Sequence, residues 1–413
     1  MTRSLTYALA LTLACGLLGP DPARAQAVAT PVDPSENARF RFGPLSLTPF
    51  LSLTELGVDT NVYNELDEPR QDKTATLGPG ANYWLRLGRS EVQGKSELTY
   101  SWFQQYDDQR SVNTNNELRW VFFRGGRISP FLTGVFNRGR RRPNFEIDAR
   151  SYRTENAAGG GADLRVSAKT TLRFEGRSGQ LKFRSDEFFD GASLEEQLNH
   201  RTTIAGGSLR EALTPLTTFI VKTEYETNVF EFTPVRDATG FRIMPGFEFD
   251  PLALIGGKMF VGYRRFNAKD PLVADYTGLV ADVEANYRLR ATRFDVHLAR
   301  DVAYSYQITE PYYVLTDSTL RVLQKITHRW DVQGTVGRQW LAYRGIELGA
   351  DVSTPQRTDR GSRLGGGIGY QVGEAVRIGM NVDYLRRTSP SDISREYDGL
   401  RIGGSFTYGL QRQ

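Results

Sequence analysis

One cysteine and three histidines in 413 residues exclude much chemistry. Cys15 lies inside an apolar N-terminal stretch, so residues 26–413 carry no thiol and can form neither a disulfide framework nor a thiolate metal site. Thr12-Leu13-Ala14 is a poor lipobox and the apolar run continues past Cys15, which argues against lipidation. Of the histidines, His200 is read in a long loop, His328 in a short turn and His297 on a polar strand face beside Asp295. A barrel phospholipase needs a His and a Ser two apart on one strand, but Ala299 stands at that distance from His297. A barrel protease needs an Asp and a His together at the rim, where only Asp190 and His200 could meet by loop folding. No enzymatic role is expected. Asp67 and Asp107-Asp108 lack the ligand spacing and bidentate Glu of a calcium loop, so no metal or cofactor is expected. Beyond residue 20 there is no apolar run near the roughly 20 residues of a membrane helix. The net charge of +4 on a chain of mixed sign argues against nucleic acid, as does export.

Export is read from the first residues: Arg3, an apolar stretch from Ser4 to Gly19, and the small-x-small site Ala23-Arg24-Ala25 predict a cleaved signal peptide over 1–25. Residues 26–44 form a short periplasmic leader, too short for a plug domain. The rest, 45–413, alternates. Val92, Gly94, Ser96, Leu98, Tyr100 and Trp102 fall on one face of a strand, and Glu91, Gln93, Lys95, Glu97, Thr99 and Ser101 on the other. The same template predicts about 18 strands, with a range of 16–18: 45–59, 74–87, 90–103, 115–123, 129–138, 151–166, 170–183, 201–211, 217–228, 241–249, 254–266, 277–290, 292–304, 312–326, 329–341, 362–372, 375–387 and 398–410. Short joints such as Gly88-Arg89, Gly125-Gly126 and Gly373-Glu374 alternate with long polar ones centred near Asp67, Asp108, Arg142, Ser193, Asp237, Asp270, Glu310, Arg357 and Ser391.

The fold class this predicts is all-β, a transmembrane antiparallel up-and-down barrel with short periplasmic turns, longer extracellular loops and both termini in the periplasm. In lipid every backbone amide must be paired internally, and a closed barrel achieves this without an edge. The polar face is then the lumen. Its expected lining is Glu91, Lys95, Glu97, Arg173, Glu175, Arg177, Lys222, Glu224, Glu226, Asp282, Glu284, Arg288, Asp295, Arg377 and Asp383, a wall of both signs that suggests a hydrated, weakly selective channel or structural ion pairs. A soluble β-sandwich also alternates, but strands of 10 to 14 residues are long for one, and Tyr83, Trp84, Trp120, Phe122, Trp330 and Trp340 near strand ends suit an interfacial girdle. Gly159-Gly160-Gly161 and Gly365-Gly366-Gly367 are read inside strands as bends or close approaches, not phosphate cradles. The basic loop Arg138, Arg140, Arg141, Arg142 could grip lipopolysaccharide phosphates, fold inward as a constriction, or simply be solvated.

Three stretches carry a family resemblance. Leu56-Gly57-Val58-Asp59-Thr60-Asn61-Val62-Tyr63 ends a first strand; Val261 to Phe266, Asp270-Pro271, Asp275 to Gly278 and Val283 to Ala299 form a central hairpin; Tyr384 to Ser389 and Tyr397 to Arg401 form a last hairpin. Together they resemble the putative β-barrel porin 2 family, whose members often accompany exopolysaccharide secretion. The chain departs from the family pattern in ending Tyr408-Gly409-Leu410-Gln411-Arg412-Gln413 without a terminal aromatic, and it lacks the helical-repeat extension of some export porins. The resemblance implies an outer-membrane protein of a Gram-negative bacterium, a channel for hydrophilic solute or polymer, foremost the exit for an exopolysaccharide. A diffusion porin, general or selective, and an occluded structural barrel stand as alternatives. Expected partners are outer-membrane lipid and lipopolysaccharide, the barrel-assembly machinery, a polysaccharide and periplasmic export components.

Overall fold

A computed structural model of the chain describes residues 38–250, 253–346, 357–390 and 396–409. The expected signal peptide and most of the expected leader lie outside the described residues. Alternation becomes eighteen long strands: β1 (Leu45–Asp59), β2 (Asp72–Leu87), β3 (Ser90–Phe103), β4 (Ser111–Val121), β5 (Ile128–Arg141), β6 (Ser151–Arg165), β7 (Thr170–Phe183), β8 (His200–Thr214), β9 (Thr217–Phe230), β10 (Ala238–Phe249), β11 (Ile255–Ala268), β12 (Tyr276–Leu289), β13 (Thr292–Tyr304), β14 (Tyr312–Lys325), β15 (Trp330–Arg344), β16 (Thr358–Val372), β17 (Val376–Thr388) and β18 (Tyr397–Tyr408). Each pairs antiparallel with the next, and β1 pairs with β18 from Leu51↔Tyr408 to Asp59↔Arg401, which closes the barrel. Part of the leader, Phe40–Phe42, folds back on Leu45–Leu47 as a three-residue strand.

Every expected strand is present, and the differences fall at strand ends. The strand read as 129–138 runs on to Arg141, and that read as 362–372 begins at Thr358. In these two the added residues are polar or glycine on both faces, so alternation does not mark them, while ladder hydrogen bonds still extend the strand. His200, read in a loop, opens β8 and stacks on Phe230 at 4.8 Å. Both glycine triplets lie within strands, as expected.

On the outer face Leu98, Tyr100 and Trp102 are 50%, 42% and 36% exposed, a surface that only lipid can cover favourably. Trp120 and Trp330 mark one edge of this belt, Trp102 and Trp340 the other. Trp84 departs from the girdle expectation. It sits directly opposite Gln93 in the ladder, and cross-strand partners share a face, so it points with Asn82 and Lys95 into the lumen.

Short turns gather at the end of the barrel that carries Phe40–Phe42, and the nine long connections at the other. An epitope tag inserted after Glu68, in the exposed first long loop, should be detected on intact cells, whereas a tag after Gly125 should be detected only after permeabilisation. The reverse pattern would invert the topology.

The wall is not a simple cylinder. β12 and β13 pair only from Leu289↔Thr292 up to Ala281↔Arg300, and beyond this the β13–β14 hairpin turns inward. Asp301 meets Arg264 at 2.7 Å, and Tyr304 packs on the rings of His200, Phe230 and Phe266. Those residues belong to the inner face of β8 to β11, so the end of the hairpin occupies the mouth.

Candidate functional site: the lumen and its mouth

The third long loop, 142–150, also enters the barrel. Asn144 starts it with a turn in which its Oδ1 accepts from the Ile147 amide at 2.7 Å. The turn delivers Phe145, Glu146, Ile147 and Asp148 to separate partners. Ile147 joins Phe183, Phe189, Leu194, Leu198 and Tyr306 in a buried apolar cluster, with the two leucines supplied by the short helix α1 (Leu194–Leu198) of the fourth long loop. Phe145 packs against Tyr313, Leu341 and Tyr343. Arg387 donates to the carbonyls of Phe145 and Glu146 at 3.0 and 2.8 Å and to the Asp359 carboxylate at 2.7 Å. Arg142 donates to the Asp148 carbonyl at 2.8 Å and to the Val62 carbonyl at 2.7 Å, and Asn64 donates to the Asp148 carbonyl at 3.1 Å. The loop is thus tied to the first long loop and to β17 across the lumen.

The seventh long loop, 305–311, meets it from the opposite wall. The Glu146 carboxylate, fully buried, accepts from Ser305 Oγ at 2.5 Å and from the Tyr306 amide at 3.3 Å. Arg236 donates to the carbonyls of Ser305 and Gln307 and to Gln197 Oε1. Burial lowers the Arg236 guanidinium to about 10, which still leaves it charged near neutrality. Arg357 joins Glu310 and Asp359, each at 3.0 Å. A buried charge without partners would cost several kcal/mol, and here each arginine answers a carboxylate or a set of carbonyls. The result is a plug built on the 142–150 and 305–311 loops and anchored by neighbouring connections, apolar at one side and ionic at the other.

Below the plug most of the expected lining residues face the lumen in pairs. Glu224 meets Arg242, and Glu226 meets Arg264 at 3.1 Å. Asp282 and Glu284 share Lys258 at 3.1 and 3.6 Å. Arg173 takes Asp163 in two bonds of 2.6 and 2.9 Å, Arg377 takes Asp331 at 2.6 Å, and Asp383 takes Arg363 at 3.0 Å. Lys95 and Glu97 lie 3.5 Å apart, Glu91 is held between Arg86 and Arg124, and Asp295 pairs with Arg293 at 2.7 Å. Glu175 and Arg177 follow Arg173 at strand spacing on the same face of β7. Arg288 faces a cavity of about 720 Å³ near the short turns, together with His297.

The four arginines of the expected basic loop are not one site, because three of them lie on β5. Arg138 contacts Tyr152 on the outer rim, Arg140 pairs with Glu187 of the fourth loop at 2.7 Å, and Arg142 is locked into the plug. Arg141 faces Glu155 and Glu97 across the inner wall.

Two features escaped the alternation pattern. Ile220, Met244, Phe260 and Val280 form an apolar patch on the inner face, with the Lys222 ammonium 3.7 Å from the Phe260 ring centre. Their position among charged inward residues on the same strands was the available signal. The plug anchors Glu146, Arg236, Arg357 and Arg387 stand in or beside long connections, where no periodicity reports direction.

A closed antiparallel barrel with an apolar, aromatic-edged exterior and a polar interior defines an outer-membrane barrel of porin type. The chain belongs to the family described as putative beta-barrel porin 2, which matches residues 135–408. Comparison with curated proteins returns no match. Among solved structures, OccK2 (OpdF) of Pseudomonas aeruginosa is similar at 11% identity, covering 88% of this chain and 97% of its own, with TM-score 0.48. A BenF-like porin of Pseudomonas fluorescens Pf-5 is 11% identical, covering 89% and 98%, with TM-score 0.47. The outer-membrane channel DcaP of Acinetobacter baumannii is 13% identical, covering 90% and 99%, with TM-score 0.43.

Proposed function

We propose that the protein is a passive, non-catalytic outer-membrane channel for hydrophilic cargo whose extracellular mouth is held shut by the 142–150 loop, and that the cargo is an exopolysaccharide leaving the cell. The observation that carries the channel reading is the docking of that loop through hydrogen bonds and ion pairs, which water can replace when the loop swings out. The apolar contacts of Phe145 and Ile147 add to this docking and have no such exchange. The placement of the plug at the outer end, with a cavity toward the periplasm, suits an exit. The inward-folded loop equally narrows the path as a selective diffusion porin requires, and this is the second reading. Arg138 on the outer rim suits a lipopolysaccharide phosphate.

Planar-bilayer recording tests these readings. Replacing residues 144–148 by glycine and serine should raise conductance several-fold over the intact chain. Block of that current by a neutral or anionic polysaccharide supports export, and free permeation of small sugars without polymer block supports diffusion. No conductance in either form would establish an occluded structural barrel.

The plug should also respond to pH. Burial pushes the Glu146 carboxyl up to about 7, against the pull of its Ser305 bond, Arg387, the Tyr306 amide and Arg236. Tyr313 and Tyr343 face it as well. A solvated Glu146 titrates near 4.5, so docking is strongest below that value, weakens as pH rises, and is weakest above about 7. Each pH unit of that interval is worth about 1.4 kcal/mol. Conductance should therefore rise between pH 5 and pH 7.5, and Glu146→Gln should flatten the profile. An unchanged slope in that variant would remove Glu146 from the device.

A further inference from the structure

We infer that the periplasmic end of the lumen is a recognition site for a carboxylate-bearing sugar or glycan, built by four lumen-facing cations on β12 to β14 and the turn between the first two. This inference rests on the channel reading for its biological sense, though not for its test.

Three observations carry it. First, charge is sorted along the axis of the barrel. The middle wall is neutralised by close pairs, with Arg242 and Arg264 sharing Glu224, Glu226 and Asp301. The cavity of about 720 Å³ near the short turns instead carries six basic side chains against three acidic ones, Glu284, Asp295 and Asp331. Those three are already engaged by Lys258, Arg293 and Arg377. Among the described residues, Arg288, Arg290, Arg321 and Lys325 have no carboxylate partner, and all four line the cavity.

Second, the register works against stability. Arg288 stands directly opposite Arg293 in the β12–β13 ladder, a like-charge placement that destabilises a sheet. Asp295 answers Arg293 and leaves Arg288 free. The neighbouring Asp295↔Arg321 pair cannot compensate, since Asp295 is held by Arg293 at 2.7 Å. Third, Arg290 occupies the tight turn with φ +53°, a left-handed conformation for which glycine or asparagine is the low-cost residue. The turn therefore carries an arginine at a conformational cost while adding a fourth cation to the cavity edge.

Free guanidinium and ammonium groups converging on one cavity complement carboxylates, which guanidinium binds with two parallel hydrogen bonds. The volume falls within the usual range of about 300–1,000 Å³ for a ligand site. Asn286, Thr319 and His297 lie among the cations and can take sugar hydroxyls. An uncharged solute would leave the cations without an answer.

Isothermal titration calorimetry on the full chain in detergent, at low ionic strength, tests the assignment with trigalacturonate and with maltotriose, a neutral trisaccharide. Trigalacturonate should bind at least tenfold more tightly than maltotriose, and its affinity should fall steeply with salt. The combined Arg288→Gln, Arg321→Gln, Lys325→Gln variant should lose at least tenfold in affinity, since three cationic hydrogen-bond donors are removed from the cavity. Arg265→Gln, at the other end of the barrel where the side chain bonds Asn267, should bind as the unaltered chain does. Heat-modifiable electrophoretic mobility confirms that each variant is a folded barrel. Monogalacturonate separates the sources: binding comparable to the trimer identifies a small sugar acid, and binding only of the trimer identifies a glycan chain. Equal affinity for maltotriose, or an unaffected triple variant, overturns the assignment. Binding is read without conductance, so failure of the channel reading in bilayers leaves this result distinct.

Discussion

Arg387→Ala should open the mouth. The Arg387 side chain is 3% exposed and holds two carbonyls of the 142–150 loop while bonding Asp359 at 2.7 Å and approaching Asp148 at 3.4 Å. Both carboxylates are buried. Removing the guanidinium takes away its contacts with Asp148 and with the two loop carbonyls, and leaves Asp359 with Arg357 and the Ser389 hydroxyl. Breaking a buried pair by removing one partner costs about 3–5 kcal/mol. The Asp359 pair lies between β16 and β17 and is lost whether or not the loop is docked, so the cost that falls on docking is the loss of the Phe145 and Glu146 carbonyl bonds and of the Asp148 contact. Single-channel conductance should rise several-fold. A cysteine introduced by Ile147→Cys, in a chain whose only native cysteine is Cys15, should become reactive to a polar thiol reagent in the Arg387→Ala background and stay protected otherwise. Protection and conductance both unchanged would show that Arg387 does not hold the plug.

Gly361→Val should displace the same loop from another direction. A Cβ at Gly361 would lie 1.9 Å from the Phe145 ring, with two further ring atoms at 2.7 Å, so the ring must move or β16 must bend. β16 is held on both sides, by β15 and by β17, and the loop is the softer element. Overpacking of this kind costs about 1–3 kcal/mol. Conductance should increase, and Phe145→Gly should absorb the clash: the double variant should conduct as Phe145→Gly alone does, a non-additive result expected of groups in contact. Additive effects would mean that Gly361 acts elsewhere.

How far these features could be read in advance depends on their surroundings. Strands such as Ser90–Phe103 announce themselves because lipid on one side and water on the other impose opposite demands on successive residues. The lumen residues followed from the same rule, and Glu224, Glu226, Asp282, Asp295 and Arg377 all take partners inside the barrel. Trp84 was misread because an aromatic residue near a strand end suits either face, and only its register opposite Gln93 tells them apart. The run Arg138 to Arg142 looks like one basic site in one dimension. Three of these residues lie on a strand, which sends neighbours to opposite sides, so one contacts the rim and another faces the lumen.

The amino-acid sequence by itself determined the closed barrel, its eighteen strands, the lipid-facing belt and the sign of each face, because a period of two is enforced locally by every backbone unit. Tertiary structure alone decided that the 142–150 loop and the β13–β14 hairpin enter the mouth, and that the cations near Arg288 stand unanswered while those near Arg242 are paired. These outcomes depend on which side chains meet across more than a hundred residues of chain, as Ser305 meets Glu146, and no local period encodes such meetings.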